Sequence, residues 1–113
     1  MALVTQGLAI SAGQSMSTSI GLSGANKQFM AIIMPPAWDP APITFQWSND
    51  NGSWYDLFDR FGKEIAFAFV PNAVVPIQSL YGFYIYPYIQ VRSGSRSQAI
   101  PQSASRQFIL VSM

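Results

Sequence analysis

Apolar and polar residues alternate along most of this chain with the period of a β-strand. In residues 14–22 the even positions Gln14, Met16, Thr18, Ile20 and Leu22 stand against Ser15, Ser17, Ser19 and Gly21. That pattern describes a strand with one buried and one wet face. Gly24-Ala25-Asn26-Lys27 supplies a turn. Residues 29–34 are continuously apolar, as in a strand buried on both faces, and Pro35-Pro36 ends it because proline has no N–H for a ladder. After a proline-rich loop over residues 37–42, Ile43, Phe45 and Trp47 share one face of the run 43–48, which assigns Trp47 to the core. Asn49-Asp50-Asn51-Gly52-Ser53 then separates this run from an aromatic strand over 54–59. An Asn-Gly tip between alternating runs signals a hairpin, with Gly52 expected at a positive-φ position.

Phe61-Gly62-Lys63 makes a further turn, and residues 64–70 a strand with Ile65, Phe67 and Phe69 on one face. Pro71 and Pro76 bracket a short extended segment at Val74-Val75. The longest strand pattern covers residues 83–92, with Phe83, Ile85, Ile89 and Val91 on one face and Tyr84, Tyr86, Tyr88, Gln90 and Arg92 on the other. Pro87 in its middle implies an edge strand or a bulge. Residues 93–105, rich in Ser, Gly, Gln and Arg, read as a mobile loop that orders when a partner attaches, and residues 107–113 as a last apolar strand. No stretch carries a 3.6 period with capping residues, and no internal repeat is visible. Seven or eight strands at this turn spacing predict an all-β fold, a two-layer antiparallel β-sandwich of jelly-roll type. The length suits one domain over residues 1–113, with residues 1–9 as an extended N-terminal arm.

Composition changes the picture at the surface. Only 10% of the 113 residues are charged, while 50% are hydrophobic and 14% aromatic; an ordinary soluble domain is about 25% charged. Either Ser, Gln, Asn and Thr solvate the surface, or much of it is covered by neighbours in an assembly, including further copies of the chain. The formal charge is +1, and Lys27, Arg60, Lys63, Arg92, Arg96 and Arg106 are scattered along the sequence. A nucleic-acid surface needs them clustered, so none is expected. No apolar run reaches the roughly 20 residues that span a bilayer, so no membrane association is expected. The N-terminus lacks a signal-peptide pattern, which implies synthesis in a cytoplasm.

Histidine and cysteine are both absent, which removes the commonest general base, thiolate chemistry and disulfides. Among Asp39, Asp50, Asp56, Asp59 and Glu64, the pair Asp56 and Asp59 fall on opposite faces of an unbroken strand and read as strand-end and turn residues. Asp50-Asn51-Gly52 lacks the ligand register of a calcium loop. No glycine-rich phosphate loop exists. The chain is therefore expected to have no catalytic residue, metal or cofactor, and not to be an enzyme. Two aromatic features remain. Trp38, in the proline-rich loop, is the candidate exposed platform for a sugar ring. Tyr84, Tyr86 and Tyr88 form a candidate partner interface, since tyrosine combines a large apolar ring with a polar tip; the alternative is a wet sheet face with the rings lying flat.

The segment Ile43-Thr44-Phe45-Gln46-Trp47-Ser48-Asn49-Asp50-Asn51-Gly52-Ser53-Trp54-Tyr55-Asp56-Leu57, together with residues 88–94 and 106–111, resembles a pattern in small structural proteins of tailed bacteriophages. The likeness spans roughly residues 10–113. It implies a β-sandwich located in the virion, with the major capsid protein or other virion proteins as partners and no catalytic residues. The function it implies is that of a capsid decoration or cement subunit. A carbohydrate-binding adsorption module and a minor tail, connector or fibre component are the alternatives.

Overall fold

Nine strands in two antiparallel sheets make up the computed structural model, which describes residues 4–21, 29–68, 70, 72–76 and 88–112. The described residues contain no helix. One sheet joins β1 (Val4–Ile10), β9 (Arg106–Ser112), β3 (Phe29–Ile33) and β7 (Val74–Pro76) in that order. The other runs β2 (Ile20–Gly21), β8 (Tyr88–Ser93), β4 (Ile43–Ser48), β5 (Tyr55–Asp56), with β6 (Ala66–Phe67) also on β4. β1 pairs with β9 over its whole length, from Val4 opposite Ser112 to Ile10 opposite Arg106. β4 and β8 pair from Ile43 opposite Ser93 to Ser48 opposite Tyr88.

Both sheets feed one core, and alternation explains which residues enter it. Leu8, Ile10, Ile32, Phe108 and Leu110 come from the four-stranded sheet; Ile43, Phe45, Ile89 and Val91 come from the other. Edge-on aromatic pairs, Trp38 on Phe108 and Phe45 on Phe67, fill the space at centroid distances of 5.2 and 5.7 Å. The radius of gyration, 13.1 Å, matches the value of about 13 Å for a compact chain of this length. Residues 4–9 of the expected N-terminal arm are part of an integral strand, β1, paired with β9. Trp47 is corrected from core to core margin. It is half-buried, packs against the core at its margin, and tilts its ring toward Tyr55 at 5.7 Å.

Several expected strands are shorter than their patterns. Between residues 14 and 22 only Met16 bridges (to Arg92) before β2 begins. The reason lies across the ladder: Ser17 Oγ accepts from Val91 N–H of β8 at 2.8 Å, so a side chain replaces a backbone group there. The hairpin of β4 and β5 is present, with Gln46 opposite Asp56 and Trp47 opposite Tyr55. Its tip differs from expectation, because the left-handed residue is Asn51 (φ 60°) and not Gly52. Asp50 organises that tip instead. Its Oδ1 accepts from Gly52 N–H, Ser53 N–H and Ser48 Oγ–H at 2.8–2.9 Å.

The 93–105 segment is also corrected, since internal hydrogen bonds hold it. Gly94 bridges Ala99, Ile100 N–H donates to the Ser93 carbonyl at 2.9 Å, and Gln102 is fully buried. The expected turn at residues 24–27, and residues Phe69, Pro71, Phe83 and Pro87 of the expected strands, lie outside the described residues.

Candidate partner interface

The outer side of β4 and β8 carries the expected polar face, but much of it is closed to solvent by ion pairing. Arg92 is the hub. Its Nη1 donates to Asp56 Oδ1 at 2.7 Å, Nη2 to Glu64 Oε2, and Nε to Thr44 Oγ1 at 2.9 Å. Thr44 Oγ1–H donates to the Gly94 carbonyl at 2.8 Å, and Gln90 and Gln46 continue the network to Asp56. Arg96 adds its guanidinium near Asp56 at 3.4 Å and its backbone N–H to Glu64. Burial pushes the Asp56 carboxyl up, but the hydrogen bonds from Arg92 and Gln46 and both arginine charges outweigh it and hold the pKa below its ordinary value. Arg92 follows Ile89 and Val91 in strand alternation, which explains its facing away from the core. Nothing in the one-dimensional pattern shows that Asp56 and Glu64 fold over it.

A second network ties the 37–42 loop to β9. Asp39 accepts from Arg106 Nη2 at 2.9 Å and from both the backbone and hydroxyl of Ser103. The Ser103 bonds, followed by the Arg106 charge, hold the Asp39 carboxyl below its usual range. Gln102 uses its carbonyl oxygen for Asp39 N–H and Arg106 Nε–H, and its amide for Ser93 Oγ and the Asp39 carbonyl. Trp38 sits beneath this loop and is only 7% exposed; its Nε1–H donates to the Ala41 carbonyl at 3.1 Å. The expectation of an exposed sugar platform at Trp38 is therefore corrected. The loop supplies the indole with a hydrogen-bond acceptor, which lets the whole ring pack on Phe108.

All five carboxylates thus have internal partners, since Asp50 holds the hairpin tip and Asp59 Oδ1 accepts from Phe61 and Lys63 N–H groups. Among the described residues no group of three His, Cys, Asp or Glu side chains is placed to hold a metal ion. No buried side-chain nitrogen or oxygen there lacks a partner.

Among the described residues two exposed apolar surfaces stand out. The solvent side of the four-stranded sheet presents Gly7 and Ala9 of β1, Ile33 of β3, Ile109 of β9 and Val74 of β7, the last 60% exposed. A groove of about 640 Å³ runs across it between Ala9, Ile33, Ile109 and the Pro35-Pro36 corner. The only charged residue in these four strands is Arg106, whose guanidinium is turned to Asp39. The second surface is the turn after β5, where Phe61 is 80% exposed under the Arg60 guanidinium. Of the tyrosine trio, Tyr88 is half-buried at the start of β8, and Tyr84 and Tyr86 lie outside the described residues. Sequence reasoning passed over the sheet face because Gly7 and Ala9 fell in the expected N-terminal arm, while Ile33 and Ile109 fell in continuous apolar runs, which signal burial on both faces.

Comparison with known proteins gives no relative: no protein-family model matches the chain, no curated protein matches it, and no solved structure matches its fold.

Proposed function

We propose that the chain is a structural subunit of a virion, a capsid decoration or cement protein whose work is adhesion to the major capsid protein or other virion proteins. In this reading the two sheets form a sandwich of jelly-roll type. The observation that carries it is the uncharged, largely apolar outer side of the four-stranded sheet, on a protein whose carboxylates are all engaged internally. Burying apolar surface stabilises a contact by about 25 cal/mol per Å² before association costs. Modest contacts repeated at many lattice positions therefore add up over a shell. The interior polar networks suit the same task, because a rigid subunit loses little conformational freedom on attachment.

The test is the protein's copy number in purified particles of the virus that encodes it, by quantitative mass spectrometry. Re-addition of the purified protein to particles lacking it should then raise their thermal disruption temperature. Absence from the particles, or re-addition with no gain in particle stability, would refute the cement role.

A further inference from the structure

Each sheet ends in edge strands whose unpaired backbone groups are a template for another strand. Among the described residues most of the edges are blunted. β2, β5 and β6 are two residues each, and β7 is three residues ending in Pro76. β1 differs from all of them. It runs for seven residues, Val4–Ile10, pairs with β9 without a register shift, and contains no charge, proline or bulge.

One contact fixes which of its groups face outward. The Ala9 carbonyl accepts from Thr18 N–H at 3.1 Å, on the side away from β9. Backbone groups alternate in direction along an antiparallel strand, so Thr5 and Gly7 also point their N–H and C=O away from β9. No described strand pairs on that side.

We propose that β1 is a homodimerisation edge, on which β1 of a second copy adds antiparallel across a two-fold axis. Thr18 occupies Ala9, so the pairing uses Thr5 and Gly7: Thr5 opposite the partner's Gly7, Gly7 opposite the partner's Thr5, and Gln6 facing the partner's Gln6 on the axis. This gives about four backbone hydrogen bonds and one continuous sheet through both copies. A second copy fits because the arrangement is self-complementary, as a two-fold contact requires. The edge is also uncharged, so like meets like without repulsion. Gly7 and Ala9 further line the apolar groove, which lies beside this edge and adjoins the partner's added strand. The inference rests on the sheet edge and not on the virion reading, and it concerns the purified protein alone.

The chain has no cysteine, so introduced thiols report cleanly. Gln6→Cys places two thiols in a non-hydrogen-bonded pair with Cα atoms about 4.5 Å apart, close enough for a disulfide. It should give a covalent dimer on mild oxidation, whereas Thr5→Cys, displaced from the axis, should not. In sedimentation equilibrium the native protein should dimerise. Thr5→Pro removes an outward N–H without touching the β1–β9 ladder, and Thr5→Lys introduces like charges; each should weaken the dimer by roughly tenfold or more. Val74→Lys, on the far edge, should leave the dimer unchanged. A protein that is monomeric up to about 1 mM overturns the proposal. So does a dimer indifferent to both Thr5 variants, or crosslinking at residue 5 in place of residue 6.

Discussion

Adding one methyl group at Gly94 tests how the segment after β8 is built. Gly94 has φ +103°, and a Cβ there would lie 2.4 Å from the Gln98 carbonyl oxygen, 2.7 Å from Ile100 N and 2.9 Å from Ala99 Cα. All three are backbone atoms, so no rotamer change relieves the contact. Gly94 is also held at both ends, its N–H donating to the Pro42 carbonyl and its carbonyl accepting from Thr44 Oγ, each at 2.8 Å. A displacement of Gly94 therefore reaches Thr44 and, through it, Arg92. Left-handed backbone costs a non-glycine residue about 1–2 kcal/mol, and a forced shift in a packed site about 1–3 kcal/mol more. Gly94→Ala should thus lose about 2–5 kcal/mol of the roughly 5–15 kcal/mol that stabilises a domain. Gly13 and Gly62 are natural controls, each at φ +80° with nothing within 4 Å of an added Cβ. Their alanine variants should lose only the backbone term, about 1–2 kcal/mol. Urea titration followed by tryptophan fluorescence reads the difference, because slopes of about 1–3 kcal/mol/M convert the steric part into a midpoint drop of roughly 1 M beyond the controls. Equal midpoints for Gly94→Ala and Gly13→Ala would refute the reasoning and free the 93–102 segment.

Two further outcomes are expected. Arg92→Met should lose about 2–4 kcal/mol in the same titration, because Asp56 and Glu64 are left facing each other without their cation; the value falls below the fully buried case because both carboxylates keep some water contact. Stability should also fall with acid. Asp39, Asp50 and Asp56 have folded pKa values below their ordinary ones, so their contribution is complete above the unfolded carboxyl range near 4 and is lost as pH drops through the lower folded values. With no histidine in the chain, the urea midpoint should be nearly flat from pH 5 to about 7 and decline below about 4; a midpoint that rises on acidification would contradict the assignment.

Period-two patterning made the all-β class readable and placed β4 and β8, and continuous apolar runs placed β3 and β9, within a residue or two where they are described. It failed where a side chain substitutes for backbone. Ser17 and Asp59 each hydrogen-bond to nearby backbone N–H groups and cut short strands that the alternation extends. It also misassigned Trp38 and Gly52 for one shared reason. A loop residue's exposure and φ depend on which neighbour supplies its hydrogen bonds, here Ala41 for the indole and Asp50 for the hairpin tip. β1 was missed because Gly7 and Ala9 interrupt its apolar run, and small residues weaken any periodic signal. The tyrosine trio was legible as a face, yet only Tyr88 falls among the described residues.

The scarcity of charge and its placement belong together. Evenly scattered charges would keep a small soluble surface from associating anywhere. Here Arg92, Arg96, Asp56 and Glu64 gather on the outer side of the five-stranded sheet, and Arg106 and Asp39 close on each other at one end of β9. The Arg92 pairings take that guanidinium out of solvent, and the Arg106 pairing holds the loop of Asp39, which would otherwise cost entropy on contact. What remains is polarised: one sheet with its ions neutralised in place, the other with an outward side of Gly7, Ala9, Ile33 and Ile109 and no ion among them. Solubility alone does not require that division, because Ser, Gln, Asn and Thr could solvate both sides equally. The proposed contact role calls for it, since apolar groups at the centre of an interface stabilise best where no desolvated, unpaired charge offsets them.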